Sequence, residues 1–143
     1  MSIGIDTSWL IEVSLGEHSR YAAARATLKR IEKEAETLAL APQVLNEFVH
    51  AVTDGKRFRN PLSVSSSIEV AEAWWNGESI QRIFPTPASV SLGFQWMRAH
   101  DLGRKRILDT QLAATFYEYG IRQILTSNFM DYRVFGCFEL VSE

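Results

Sequence analysis

Cysteine is nearly absent from this sequence, with Cys137 alone among 143 residues. A single thiol excludes an intrachain disulfide and a cysteine-ligated zinc, and it suits a reducing compartment, so a cytoplasmic location is expected. Long apolar runs are missing as well. Stretches such as Thr37 to Pro42 are soon interrupted by charge, and the N-terminus leads directly into an apolar strand. Neither a transmembrane span nor a signal peptide is expected, and no membrane partner. With 4 prolines, no low-complexity run and no internal repeat, nothing resembles a linker or a disordered tail. Hydrophobic residues make up 46% of the chain, enough for one sizeable core, so a single domain over residues 1–143 is expected.

Several chemistries lack their residues. His18, His50 and His100 do not have metal-ligand spacing, and no cysteine or serine nucleophile motif is present. The GKRF beginning at Gly55 lacks the upstream glycine and the Lys-Ser/Thr pair of a phosphate-binding loop. An excess of basic charge is missing too, since 15 Lys and Arg face 17 Asp and Glu for a net charge of −2. The molecule as a whole therefore does not advertise nucleic-acid binding. The basic residues are nevertheless grouped, as Lys56, Arg57 and Arg59 and as Arg104, Lys105 and Arg106. Each group reads either as a solvated loop or as a local patch for phosphate.

What is present alternates strand and helix. Ser2 to Ile5 is a short apolar strand ending at Asp6, followed by a helical segment from Ser8 to Leu15 and a stop at Gly16. Tyr21, Ala24, Leu28, Ile31 and Ala35 recur at helical spacing, which predicts an amphipathic helix over Tyr21 to Glu36. Thr37 to Ala41 suits a buried strand, and Pro42 opens a helix whose apolar face is Val44, Leu45, Phe48 and Val52, with Glu47 in its second turn. A helix from about Val64 to Trp75 follows, with Ser66 and Glu69 spaced as a capping box. Ile80 to Phe84 is a third strand, and Thr86 with Pro87 starts a helix ending near His100. Leu102 and Gly103 close that unit. Ile107 opens a helix that runs to Tyr119 and stops at Gly120. Ile121 to Thr126 and Phe138 to Val141 supply the last strands. The alternation implies an α/β sandwich around a mainly parallel sheet, in which ligands gather at the carboxyl ends of the strands.

That rule gives the acids an address. Asp6 follows the first strand, Glu47 lies just inside the helix after the second, Asp109 heads its helix, and Asn128 follows the strand ending in Thr126, with Asp131 close behind. Singly, each has a plain reading: Asp6 and Asp109 as helix caps, Glu47 as a solvated helix residue, Asn128 and Asp131 as turn residues. Together they would repel one another unless a cation neutralised them. Magnesium fits, being held through oxygen by one or two carboxylates and waters, and manganese substitutes for it.

The segments IDTSWLIE (Ile5 to Glu12), LNEFVHAV (Leu45 to Val52), ILDTQLAATFYEYG (Ile107 to Gly120) and LTSNFMDYRVF (Leu125 to Phe135) resemble, in order and spacing, the successive motifs of PIN-domain nucleases. The nearest resemblance is to the VapC-type toxins of toxin–antitoxin pairs. It implies a three-layer α/β/α sandwich and cleavage of RNA with Mg²⁺ or Mn²⁺. By the same resemblance Asp6, Glu47 and Asp109 take the first three acidic positions and serve as catalytic residues and metal ligands. Asn128 stands where many members carry a fourth Asp, so it joins the implied metal ligands, and Asp131 the catalytic set. The hydroxyls of Thr7 or Ser8 and of Thr126 resemble those that brace the acids, while Lys56, Arg57, Arg59, Arg104 and Arg106 would hold flanking phosphates. A homodimer and a small antitoxin that inserts an Arg or Lys among the acids are implied as partners. With an amide at Asn128, weak Mg²⁺ binding and better activity in Mn²⁺ are expected. Trp74, Trp75 and Phe58 are candidates for base stacking, with core packing the favoured role of the tryptophans. Two other readings stand beside this one: a catalytically silent PIN-like module that binds RNA or protein, and a metal-dependent phosphatase with Asp6 as nucleophile. In the second, Ser8 occupies the place of that chemistry's second Asp.

Overall fold

A computed structural model describes residues 2–141. In chain order its elements are β1 (Ser2–Ile5), α1 (Thr7–Ser14), α2 (Tyr21–Lys33), β2 (Thr37–Leu40), α3 (Pro42–Val52), α4 (Val64–Trp75), β3 (Ile80–Arg82) and α5 (Pro87–Ala99). A 3-10 turn (Arg104–Arg106), α6 (Ile107–Glu118), β4 (Gln123–Leu125), α7 (Phe129–Arg133) and β5 (Glu139–Val141) complete it. The strands form one five-stranded sheet in the order β3-β2-β1-β4-β5. All four pairings are parallel, where the sequence predicts a mainly parallel sheet.

Parallel neighbours need crossovers, and these are right-handed almost without exception. The chain steps from β1 to β2 to β3 in one direction, then reverses to place β4 on the other side of β1. The reversal sends α5, α6 and α7 to the face opposite α1 to α4. The packing agrees, since α1 touches α2 and α3, α3 touches α4, and α5 lies along α6, which also meets α7. This is the three-layer α/β/α arrangement, with its switch point between β1 and β4.

Covered on both faces, β1 buries Ile3, Gly4 and Ile5 in succession. Gly4 is a steric requirement, because a Cβ there would lie 2.8 Å from the ring of Phe116 on α6. Its Cβ vector points at α6, so Ile3 and Ile5 face the other helical layer. There Trp9, Leu10, Val13, Leu40, Val44, Phe48 and Val52 are buried in the same continuous core.

The ends of elements depart from the sequence reading for local reasons. The second helix stops at Lys33 rather than Glu36, because Ala35 adopts φ 55° and the N–H groups of Ala35 and Glu36 turn back to the carbonyls of Glu32 and Ile31. This is a left-handed helix stop with alanine in the position glycine usually takes. The cap of α4 lies three residues before the one expected: Ser63, not Ser66, accepts the hydrogen bond, from the Ser66 N–H at 3.0 Å. At α5, Thr86 does cap, in a reciprocal pair with Ser89. The strands β3 and β4 are shorter than predicted, and the five-residue α7 occupies a segment read as a turn. No helix among the described residues is long and apolar enough to cross a membrane.

Candidate active site

Asp6 ends β1 and caps α1. Its backbone is extended, and its carboxylate accepts from the Trp9 N–H at 3.1 Å, so the plain capping role is real. The carboxylate does more than cap. Its Oδ1 also accepts from the Ser8 hydroxyl at 2.6 Å, and its Oδ2 from the Thr126 hydroxyl at the end of β4. Those two hydroxyls are themselves held from behind, Ser8 by the Ser127 N–H at 3.2 Å and Thr126 by the Asn128 N–H at 2.8 Å. The ends of β1 and β4 are thus tied together through one carboxylate at the switch point, where open α/β sheets bind their ligands. Asp6 is buried, 3% exposed, and that burial raises its pKa against the opposing pull of its hydrogen bonds from Ser8, Thr126, the Trp9 N–H and Tyr132.

Glu47 approaches from α3, in its second turn, and both its oxygens are engaged. Gln43, one turn earlier, donates to Oε1 at 2.7 Å, and the Thr7 hydroxyl reaches Oε2 at 3.4 Å. The Gln43 amide also donates to the Leu108 carbonyl at 3.0 Å, which links α3 to the start of α6.

Asp109 lies in the first turn of α6, but it does not cap the helix: Arg106 stands at the N-cap and makes no capping hydrogen bond. The Asp109 carboxyl is pushed up to about 6, first by burial, then by the negative charges of Asp131 and Glu47, with Arg106 opposing and Asp6 adding a smaller push. The same four acids surround Tyr132, whose phenol is 1% exposed and within hydrogen-bonding reach of Asp6. Burial, then these charges, raises its pKa well above the usual value. Tyr132 has no signal in the sequence. It follows Asp131 in a segment read as a turn, and only α7 turns its ring inward.

Other candidates fall into place unevenly. Asp131 is in the first turn of α7, with the Arg106 Nε 3.8 Å from its Oδ1 and the Arg106 Nη2 donating to its main-chain carbonyl. The Asn128 N–H is used as described, but its exposed side chain makes no capping contact to α7. Arg104 and Lys105 are exposed on the turn before α6. The group Lys56, Arg57 and Arg59 is elsewhere: Glu17, beyond the end of α1, accepts from the Arg59 and Asn60 N–H groups at 3.2 and 3.1 Å. Since α1 spans about 12 Å, this loop sits a helix length from Asp6. Trp74 donates to Ser14 at 3.0 Å and meets Trp9 edge to face, and Trp75 meets Phe84 likewise, so both tryptophans pack. Phe58 is half-buried against the core beneath Arg57. A cavity of about 410 Å³, lined by Leu28, Leu38, Trp74 and Ile80, opens at the opposite, amino-terminal end of the strands and includes none of Asp6, Glu47, Asp109 and Asp131.

As the side chains lie, no group of three or more His, Cys, Asp or Glu among the described residues encloses a metal position. The donor set still suits a hard cation. It is all oxygen, and Mg²⁺ is commonly held by only one or two carboxylates with water in its other positions. Burial is the first cause of the raised Asp109 pKa, and the negative charges of Asp131 and Glu47 that add to it are a load a cation would relieve.

An α/β/α domain with hydrogen-bonded carboxylates at the switch point of a 3-2-1-4-5 sheet defines the class. No protein-family model and no curated protein matches the sequence. Solved structures do. VapC20 of Mycobacterium tuberculosis, described as a sarcin-ricin loop cleaving toxin, is similar with a TM-score of 0.71 at 17% identity over 99% of both chains. VapBC-1 of nontypeable Haemophilus influenzae follows at 0.68 and 13%, covering 99% of this chain and 98% of that one. VapBC2 of Rickettsia felis, solved on a DNA fragment from its promoter, stands at 0.67 and 13% with the same coverage. The chain has the PIN-like fold of these VapC proteins.

Proposed function

We propose that this chain is a divalent-metal-dependent endoribonuclease and the toxin of a toxin–antitoxin pair. The observation that carries the reading is the gathering of Asp6, Glu47, Asp109 and Asp131 at the carboxyl edge of the sheet, close enough that the charges of Asp131 and Glu47, after burial, help to raise the Asp109 carboxyl. A binding module would have no use for acids that oppose one another in this way. RNA as substrate is supported by the fold shared with a toxin described as cleaving the sarcin-ricin loop.

Asp6, Glu47 and Asp109 would hold the Mg²⁺ or Mn²⁺, with Asp131 or Asn128 completing the set. When bound, such an ion polarises a phosphate and lowers the pKa of a water. The protein's own part is to aim the acids. Ser8, Thr126 and the Trp9 N–H orient the buried Asp6 carboxylate and oppose the effect of its burial, and Gln43 and Thr7 fix Glu47 as the group that orients or takes a proton from attacking water. The exposed Arg104 and Lys105, on the turn that leads into α6, would hold a flanking phosphate.

The phosphatase reading loses support at Ser8, which stands where that chemistry has its second Asp and whose hydroxyl donates to the Asp6 carboxylate at 2.6 Å. A protein partner is supported by the two VapBC neighbours and by an apolar groove of about 240 Å³ between α3 and α4, lined by Leu45, Val49, Ile68, Ala71 and Trp75. A homodimer is supported by Val90 and Phe94, exposed one turn apart on α5. The test is incubation of the purified protein with a mixed RNA pool with and without Mn²⁺. Discrete cleavage that EDTA stops is expected, and an intact pool at millimolar Mn²⁺ overturns the proposal.

A further inference from the structure

Arg106 is set against its local surroundings. It occupies the N-cap of the twelve-residue α6, where Ser, Thr, Asp or Asn is preferred and where the helix dipole is unfavourable to a cation. Such violations of local preference are expected at functional sites. Its guanidinium is only 25% exposed and reaches across to α7, meeting one residue twice: Nη2 donates to the main-chain carbonyl of Asp131, and Nε stands 3.8 Å from the Asp131 carboxylate. The Nε–H is buried and makes no hydrogen bond, so this ion pair has slack to tighten.

The element so gripped cannot hold itself. Five residues are too few for an independently stable helix. Beyond its packing on α6 and β5, α7 is tied to the site by the buried Tyr132 against Asp6 and by the double contact from Arg106 to Asp131. We propose that Arg106 is a positioning residue that clamps α7 onto the site and sets the place of Asp131 among the acids, rather than a contact to substrate phosphate. Its catalytic consequence rests on the nuclease reading above; the clamp itself does not. A planar fork can meet a carbonyl and a carboxylate together, whereas an ammonium meets them as a point charge, so lysine should not replace it.

The test compares Arg106→Gln, Arg106→Lys, Asp131→Asn and the Arg106→Gln/Asp131→Asn double variant, each checked for folding by thermal melting. In metal-free protein, amide hydrogen exchange at residues 129–133 should accelerate about 10-fold in Arg106→Gln, the scale of losing a charged hydrogen bond. Calorimetry with Mn²⁺ alone should show affinity about 10-fold weaker in Arg106→Gln and in Asp131→Asn, as for partners that orient metal ligands. On RNA, kcat should fall with KM unchanged, Arg106→Lys should not rescue, and the double variant should be no worse than the weaker single. Unchanged exchange at α7 overturns the clamp. So does a raised KM with unchanged Mn²⁺ affinity that lysine restores, which is the behaviour of a phosphate contact. If the unmodified protein neither binds Mn²⁺ nor cleaves RNA, the nuclease reading falls while the exchange measurement still decides the clamp.

Discussion

Two helix starts border the acidic site, and they are built in opposite ways. At α1 the acid is the cap: Asp6 is buried, accepts from a backbone N–H and two hydroxyls, and knits β1 to β4. At α6 the cap position holds Arg106 without a capping bond, and the acid, Asp109, stands inside the first turn facing other carboxylates. The first arrangement meets both carboxylate oxygens with donors, which offset part of the cost of burying them. The second adds the like charges of Asp131 and Glu47 to the cost of burial, opposed in part by Arg106, a balance that a bound cation would relieve. Similar residues at similar addresses therefore carry different shares of stability and chemistry.

Substitution separates those shares. The largest effect is expected from Asp109→Asn, which should lower RNA cleavage by more than about 100-fold, since loss of even an outer partner of a metal ligand costs about 10–100-fold. Its thermal midpoint in EDTA should hold or rise, because one source of repulsion is gone; a clear fall would mean that Asp109 is structural like Asp6. Asp6→Ala is expected to do the converse on stability. Losing the cap and stranding two hydroxyls should cost about 2–3 kcal/mol in urea denaturation. A cost below about 0.5 kcal/mol, the low end for a helix cap, would erase the contrast between the two helix starts.

The pH dependence sharpens it further. The Asp109 carboxyl titrates at about 6 in the fold against 3.8 as its ordinary value. Between these values the folded state keeps a proton that the unfolded state has released, so metal-free stability should fall as pH rises from about 4 to 6. Denaturation at several pH values in EDTA should show a steeper fall in the unmodified protein than in Asp109→Asn, which keeps only the raised carboxyl of Asp6. Mn²⁺ affinity should run the other way, strengthening as pH rises through about 6.

Smaller effects divide the basic groups and the helix ends. Alanine at Arg104 and Lys105 should reduce the salt dependence of RNA binding, by a slope of about 1 for each phosphate no longer neutralised. Alanine at Lys56 and Arg57, on the loop tied to Glu17, should leave that slope unchanged. Ala35→Gly relieves a left-handed alanine at the end of α2 and should add about 0.5–1 kcal/mol with cleavage unaffected.

Gly120 shows why some helix ends are readable from sequence. It takes φ 77° after α6, and the N–H groups of Gly120 and Ile121 turn back to Tyr117 and Phe116. The same turn closes α2 at Ala35 and α5 at Asp101, at φ 55° and 48°. Glycine marks such a stop because it bears no steric penalty there. Alanine and aspartate adopt it only because the next strand or turn demands it, and so leave no mark.

By itself the sequence determined the alternation of elements, the parallel sheet and the placement of Asp6, Glu47 and Asp109 just after strands or at helix starts. Each of these follows from periodicity, from Pro, Thr and Gly punctuation, and from the rule that parallel strands present their carboxyl ends together. Tertiary structure alone decided which partners those acids have. The Arg59 and Asn60 backbone docks on Glu17 while Arg106 grips Asp131, and Tyr132 turns inward against Asp6, all through residues far apart in the chain. Such pairings arise from packing between layers, and no local spacing in the chain encodes them.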